Sequence, residues 1–497
     1  MASGNKSAPD PLPPQSAAVR FFWNGRPVEG VVGDSIAAAL WRRGIVVLGF
    51  SRKRHRPMGA SGVYLQGLLV QVDGQPHVRA DERLIAAGLD VRQQNVWPSA
   101  HLNLLTILRW LPSAWSRGGF ERSMLFPGGG RRFALWERLL LFLAGEVHLD
   151  PTRRMTLVPE AGRRLDVDVV VVGGGPAGLR AANHAAELGQ RVALISRGDT
   201  YARTAHTFGE EAPPLHPSVI ALLRHQAIGL YRQGRVLIAA PLDANRAATV
   251  IVLSRLVLAT GKRSCVPLVP GHDLPGVVDT AMAVALATGS NARLGRVVIV
   301  GTGAENALVE FLRRQGVAVV GIAAAEHLHR IKGRNRVRAV IVEQREIACE
   351  TLVHAGPWRT DPGLSFQARA GGSLRLVAQA LPEHVSLVGS AAAPDENIIL
   401  APVHALDDVA VCPCMDVTVA ELKESLRLEG AHPELLKRRT SCGMGPCQGF
   451  PCWEYMNAVT HSLTGISAVD RPTHRPPRRG LTVEQAAGLD GLLEFDP

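Results

Sequence analysis

The first 264 residues of this 497-residue chain contain no cysteine, and five of its seven cysteines fall between Cys412 and Cys452. So uneven a distribution is no disulfide framework spread over a secreted domain; clustered thiols in a reducing compartment act as ligands more often than as bridges. A long apolar run is also missing. The most apolar stretch, Leu139 to Ala144, is far short of a bilayer span and follows Glu137 and Arg138. The N-terminus is rich in Pro, Ser and Ala with no apolar core, which argues against a secretory signal. The net charge is +11, yet the arginines form no stripe, and the densest basic run, Arg52 to Arg56, is short. A nucleic-acid surface is therefore not expected. The expectation is a protein with no transmembrane segment, in the cytoplasm.

The cysteines that are present read Cys412-Pro-Cys414, then Cys442-Gly-Met-Gly-Pro-Cys447-Gln-Gly-Phe-Pro-Cys452. Thiolates are soft ligands, and four at one point suit an iron–sulfur cluster or zinc. Zinc knuckles favour Cys-x2-Cys, and neither pair has that spacing. The reading is a 2Fe–2S cluster on Cys412, Cys414, Cys447 and Cys452, with structural zinc or an empty site as alternatives. Thr418 and Glu421 form a capping box, so a helix starts just after Cys414. Pro451 suits the first turn of another. Both pairs then lie near helix N-termini, whose positive ends favour thiolates. Cys442 is a spare beside the set, and Cys265 and Cys349 read as ordinary buried thiols.

Upstream, Val167 to Val172 is a continuous apolar run leading into Gly173-Gly174-Gly175-Pro176-Ala177-Gly178, a helix over 179–188 and a strand over 191–195. Gly173 makes the tight turn, Gly175 admits a pyrophosphate to the helix N-terminus with Pro176 and Ala177, and Gly178 lets helix and strand pack closely. The acid expected at the end of the second strand is absent; Ser196 and Arg197 stand there, with Asp199 beyond. Leu256 to Gly261 repeats the strand-then-Ala-Thr-Gly crossover of two-dinucleotide-domain flavoproteins, which adds Thr260 and Gly261 to the site. The strand from Val385 ends in Gly389-Ser390, where such flavin domains carry Asp after the glycine. A second fingerprint, Gly301-Thr302-Gly303, has Asn306 in place of its third glycine and Glu305 near the phosphate position. It reads as a truncated structural remnant.

The fold class expected is α/β, a two-dinucleotide-binding-domain flavoprotein with a truncated second domain, an N-terminal β-grasp ferredoxin-like domain and a small helical C-terminal cluster domain. The β-grasp reading rests on a hairpin turned by Asn24-Gly25 and followed by a helix over 35–43, capped by Asp34. The boundaries are a disordered tail over 1–18, the β-grasp domain over 19–98 and a connector over 99–165 holding Trp110, Trp115, Trp136 and Gly128 to Gly130. The Rossmann-type domain follows over 166–410, its truncated second unit at about 292–375. The cluster domain covers 411–470 and a Pro/Arg-rich arm 471–497.

Four stretches carry a family resemblance: Gly49 to Gly59, Asn95 to Ser99, Asp273 to Val277, and Leu436 to Gly449. On these the chain resembles the alpha subunit of heterotetrameric sarcosine oxidase, without its large C-terminal folate-handling part. In length and cysteine pattern it is similar to alpha-type subunits of opine oxidases, proline and hydroxyproline dehydrogenases, and hydrogen cyanide synthase. The resemblance implies that the four cysteines hold a cluster of the bacterioferritin-associated-ferredoxin type. It implies FAD at the first dinucleotide site, with NAD as the alternative. It also implies a flavin-containing beta subunit on which an amine or amino acid is oxidised. The chain departs from a ferredoxin in having no cysteine just after Gly59, where it reads Ala60 to Gly67, so its first domain reads as a structural or docking module. The expected function is an electron-transfer subunit with no catalytic residue of its own; His206 reads as a solvated loop residue. A degenerate scaffold and a stand-alone NAD(P)H-dependent flavin oxidoreductase are the alternatives.

Overall fold

The computed structural model describes residues 18–97, 103–110, 161–369, 381–466 and 474–492, apart from 52, 63–67, 203–204, 206, 209, 243–245, 289–292 and 304. Trp115, Trp136, Gly128 to Gly130, His206 and nearly all of the expected tail lie outside the described residues.

The N-terminal domain begins with strands Ala18–Trp23 and Arg26–Val31, paired antiparallel with Trp23 opposite Arg26. A two-residue connection of this kind needs positive φ at both centres, and Asn24 (50°) and Gly25 (78°) supply it. The first strand then pairs in parallel with Asp90–Gln93, completing a five-stranded sheet. The helix Ile36–Arg42 packs on it, every residue buried. Its cap is Ser35, whose Oγ accepts from the Ala38 amide at 3.2 Å, not Asp34 as the sequence suggests. Asp34 is instead drawn to Arg42 at 2.8 Å. Arg42 in turn donates to the carbonyls of Ala285, Leu286 and Thr288, closing the C-terminal end of the helix Thr280–Ala287.

The first dinucleotide unit is a seven-stranded sheet. At its centre Arg163–Val172 runs parallel to Val192–Ile195 and to Thr249–Leu258, which also pairs in parallel with Val385–Leu387. The helix Pro176–Glu187 follows the central strand. The second unit begins earlier than residue 292, because Val277–Asp279 pairs in parallel with Thr351–Ala355 and so joins the fingerprint strand Arg296–Gly301 in one sheet. With Ala318–Ala324 this makes four parallel strands, and a three-stranded antiparallel meander spans Leu328–Ala348. Its crossovers are short; the helices Thr280–Ala287 and Asn306–Arg314 have eight and nine residues.

One apolar core joins the β-grasp domain to this second unit, running from Phe21, Ile36 and Trp41 to Met282, Ile299 and Leu312. Another encloses the cysteines with Leu268, Leu406, Leu422, Trp453 and Met456. The C-terminal arm is docked: Leu489 packs with Ile228 and Val250, and the Arg478 amide donates to the Ile228 carbonyl at 2.7 Å. No helix is long and apolar enough to cross a membrane among the described residues.

Candidate cluster and dinucleotide sites

Gly173 sits at φ +118° where the strand turns, and a Cβ there would collide with the Ala259 carbonyl; at Gly178 it would collide with the Gly173 carbonyl. At Gly175 it would meet nothing within 4 Å, so the first helical turn opens onto space. That space is a cavity of about 610 Å³. Gly173 to Gly178, Ser196, Arg197, Thr260, Gly261 and Ser390 line it, while Gly389 lies against Ala177, whose Cβ is 2.6 Å from where a Cβ on Gly389 would fall. An open helix N-terminus with a glycine-lined approach fits a dinucleotide pyrophosphate. The ribose end fits less well. The acids on the wall are Glu210, Asp279 and Asp361, none from the end of the Val192–Ile195 strand. Asp199 faces away, its Oδ2 near Gly33 of the N-terminal domain.

Arg263 also lines this cavity. Its guanidinium stacks over Phe450 at 5.8 Å, and no carboxylate lies within ion-pair distance among the described residues. Its surface exposure is intermediate although it lies deep inside the protein, because the surface it shows is cavity surface. Burial, then the neighbouring Arg197 guanidinium, push its pKa down to about 9. A buried cation is costly unless an anion meets it, and an anionic cofactor group in the cavity would do so. Sequence spacing gives no hint of this residue; its signal is only that it follows the Ala-Thr-Gly crossover by two positions.

The cysteines converge from two loops. Strand Ala410–Cys412 and the turn after it carry the first pair, and Thr418 caps the next helix, with its Oγ accepting from the Glu421 amide at 3.3 Å and Glu421 Oε2 accepting from the Thr418 amide at 3.0 Å. The second pair flanks the loop entering the helix Cys452–Thr464. Trp453 covers that loop, and its Nε1 donates to the Cys442 carbonyl at 2.9 Å. All four ligand sulfurs lie within 4.8 Å of one another. Cys412 to Cys414 is 3.6 Å, Cys447 to Cys452 is 3.7 Å, and Cys414 to Cys447 is 3.1 Å. Metal–sulfur bonds of about 2.3 Å put tetrahedral sulfurs roughly 3.8 Å apart. Each pair thus spans one metal's edge, and a two-iron centre would spread the two pairs from each other. Hydrogen bonding from Cys414 and the other thiols pulls the Cys412 pKa well down. Those of Cys414 and Cys452 are pushed well up, first by Cys412. Thiols packed this way shed their remaining protons when a metal arrives. Cys442 is fully buried against Cys412, and its pKa also rises.

The two sites meet. Cys412, Cys414 and Cys452 are buried, whereas Cys447 is partly exposed, and it lines the dinucleotide cavity with Gln448. At the second fingerprint, Glu305 Oε1 accepts from the Gly303 amide at 2.8 Å and fills the place of a Gly301 side chain, while Thr302 donates to Glu396 at 2.9 Å. The chain's own carboxylates occupy that cradle.

Residues 167–346 match the pyridine nucleotide-disulphide oxidoreductase family, and residues 16–96 match a 2Fe-2S iron-sulfur cluster binding domain. The second match bears on the fold of the N-terminal domain, since no cysteine lies in it. The chain is 27% identical to the alpha subunit of sarcosine oxidase from Rhizobium meliloti (strain 1021) over 413 residues, 72% of this chain and 40% of that protein. It is 38% identical to an opine oxidase subunit of the same strain over 85 residues, 17% of this chain and 19% of that one. It thus spans well under half the length of these relatives. L-proline dehydrogenase from P. horikoshii has a similar fold, with a TM-score of 0.67 at 20% identity, covering 94% of this chain and 97% of that one. The pyridine nucleotide-disulphide oxidoreductase frame supports FAD as a cofactor, and the 2Fe–2S reading rests on the four converging C-terminal cysteines. These matches relate the chain to the alpha-subunit family of the sarcosine and opine oxidases.

Proposed function

We propose that the chain is the electron-transfer, alpha-type subunit of a heteromeric FAD-dependent amine or amino-acid dehydrogenase or oxidase. Sarcosine-, opine- or proline-like substrates would be oxidised on a flavin-containing beta subunit. The observation that carries the reading is the place of Cys447, which belongs to the cysteine set and also lines the dinucleotide cavity. When bound, FAD exchanges one or two electrons and the cluster one at a time, which is the chemistry the cofactors bring. The protein supplies position and charge. Gly173 to Gly178 would receive the pyrophosphate, Ser196 and Arg197 would meet the adenosine end, Thr260, Gly261 and Ser390 would border the remainder, with Gly389 against Ala177, and Cys412, Cys414, Cys447 and Cys452 would hold the irons. Ligand thiols of this kind suit the reducing cytoplasm.

A single tetrahedral metal is a second reading, favoured by the 4.8 Å sulfur set; zinc there would be colourless. Bound NAD is favoured by Ser390 in place of an acid. Glu305 in the second cradle argues against a stand-alone NAD(P)H reductase.

The test is to load the full chain with FAD and photoreduce it without oxygen. The expected result is that the cluster's visible absorbance bleaches together with the flavin's. A flavin that becomes fully reduced beside a cluster that stays oxidised would sink the electron-transfer role.

A further inference from the structure

We propose that the N-terminal domain, which has no cysteine, supplies Arg79 as the cation that raises the reduction potential of the cluster held by the C-terminal cysteines. The inference rests on the reading that those cysteines hold a 2Fe–2S centre.

Arg79 ends the strand Gln75–Arg79 of the β-grasp sheet and reaches the wall of the dinucleotide cavity, which Cys447 and Gln448 also line. Arg79 and Cys447 thus border the same cavity, and against the cost of burial the Arg79 guanidinium is held charged by Glu82 and Asp81, with Cys447 and Cys414 adding to them. The side chain is 13% exposed and lies 3.1 Å from Glu82 and 3.9 Å from Asp81. The turn that holds these carboxylates is fixed. The Ile36 and Ala37 amides, at the start of the domain's helix, donate to the carbonyls of Arg83 and Ala80 at 2.9 Å each.

The domain itself is clamped to the cysteine loop. Asp416, two residues after Cys414 and fully buried, accepts from the Ser51 hydroxyl and from the amides of Lys53 at 3.2 Å and Arg54 at 2.7 Å. It also lies 3.1 Å from the Arg56 guanidinium. Arg79 is therefore held at a set place relative to the sulfurs, on the side where Cys447 opens.

Reduction adds one electron to a centre already anionic, and no bond forms or breaks. A nearby guanidinium stabilises that extra charge more strongly in a water-poor interior than in bulk solvent. Arg79 is thus a positioning residue for charge. Its acidic partners moderate the effect, which gives the test two opposite signs.

The full chain is purified without oxygen, iron is counted, and the cluster is titrated with dithionite under spectroscopic control. Arg79→Gln is expected to lower the reduction equilibrium constant about tenfold, about 59 mV for one electron. Glu82→Gln is expected to raise it, and Arg79→Lys to stay near the parent protein. Both glutamine variants break the same ion pair, so packing damage alone would move them the same way. Potentials that shift together, or do not shift, overturn the proposal. If Arg79→Gln does not fold, the upward shift in Glu82→Gln carries the test alone, and its absence overturns it. An iron-free parent protein would instead overturn the cluster reading on which the proposal stands.

Discussion

At the scale of single residues, burial decides behaviour more than residue type. His225 lines the dinucleotide cavity, and its Nδ1 lies 2.6 Å from the Leu223 carbonyl oxygen. Desolvation by burial pushes its pKa down to about 4, opposed by that carbonyl and assisted by Arg246, Arg163 and Arg479. The unfolded chain takes up this proton near pH 6.5 and the folded chain only near pH 4. Stability is therefore lost as the pH falls through that window, by up to about 3 kcal/mol from this group. Denaturant midpoints measured from pH 7 to 4 should fall, and less steeply in His225→Gln. An equal slope in the two proteins would show that His225 is not buried as a neutral ring. The same scale shows what a sequence conceals. The glycines and cysteines were legible because their chemistry is local to a turn or a pair. Arg263 and Arg79 were not, because an arginine's role depends on what faces it across the fold.

At the scale of elements, the contacts between domains come from short, dense anchors. Asp416 with its three hydrogen-bond donors and the Arg56 guanidinium is one, and Arg42 on the end of the helix Thr280–Ala287 is another. Asp416→Ala would leave Ser51 and two loop amides without their acceptor and cost Arg56 one of its two carboxylates. Breaking a buried pair of this kind costs roughly 3 kcal/mol. The expected outcome is a lower thermal midpoint, together with faster proteolysis of the 51–56 loop. An unchanged midpoint would mean that the clamp contributes nothing. Sequence reading found the hairpin, the capping box and the fingerprint strand because each is written within a dozen residues. It placed the start of the second dinucleotide unit too late, since Val277–Asp279 joins that sheet only through pairing with Thr351–Ala355, more than 70 residues on. It also missed by one residue at the first helix, where Asp34 and Ser35 are both good caps and only Arg42 decides between them.

At the scale of the whole molecule, the α/β class and the flavoprotein-like order of units were readable, because strand–turn–helix patterns repeat along the chain. Their mutual arrangement was not. A β-grasp domain without ligands, a dinucleotide cavity and a cysteine set meet at one place, around Cys447, and no spacing in the sequence announces it. On the function proposed above, that meeting would turn separate motifs into one path for electrons. It stands or falls on what the four thiolates hold. The most direct measurement is iron, labile sulfide and zinc content, with an electron paramagnetic resonance spectrum of the reduced protein, on material purified without oxygen. The account predicts about two irons and two sulfides per chain and a reduced-cluster signal, as for a four-thiolate 2Fe–2S centre, with both lost in Cys447→Ser. One zinc per chain, or a colourless protein with no metal, would contradict it.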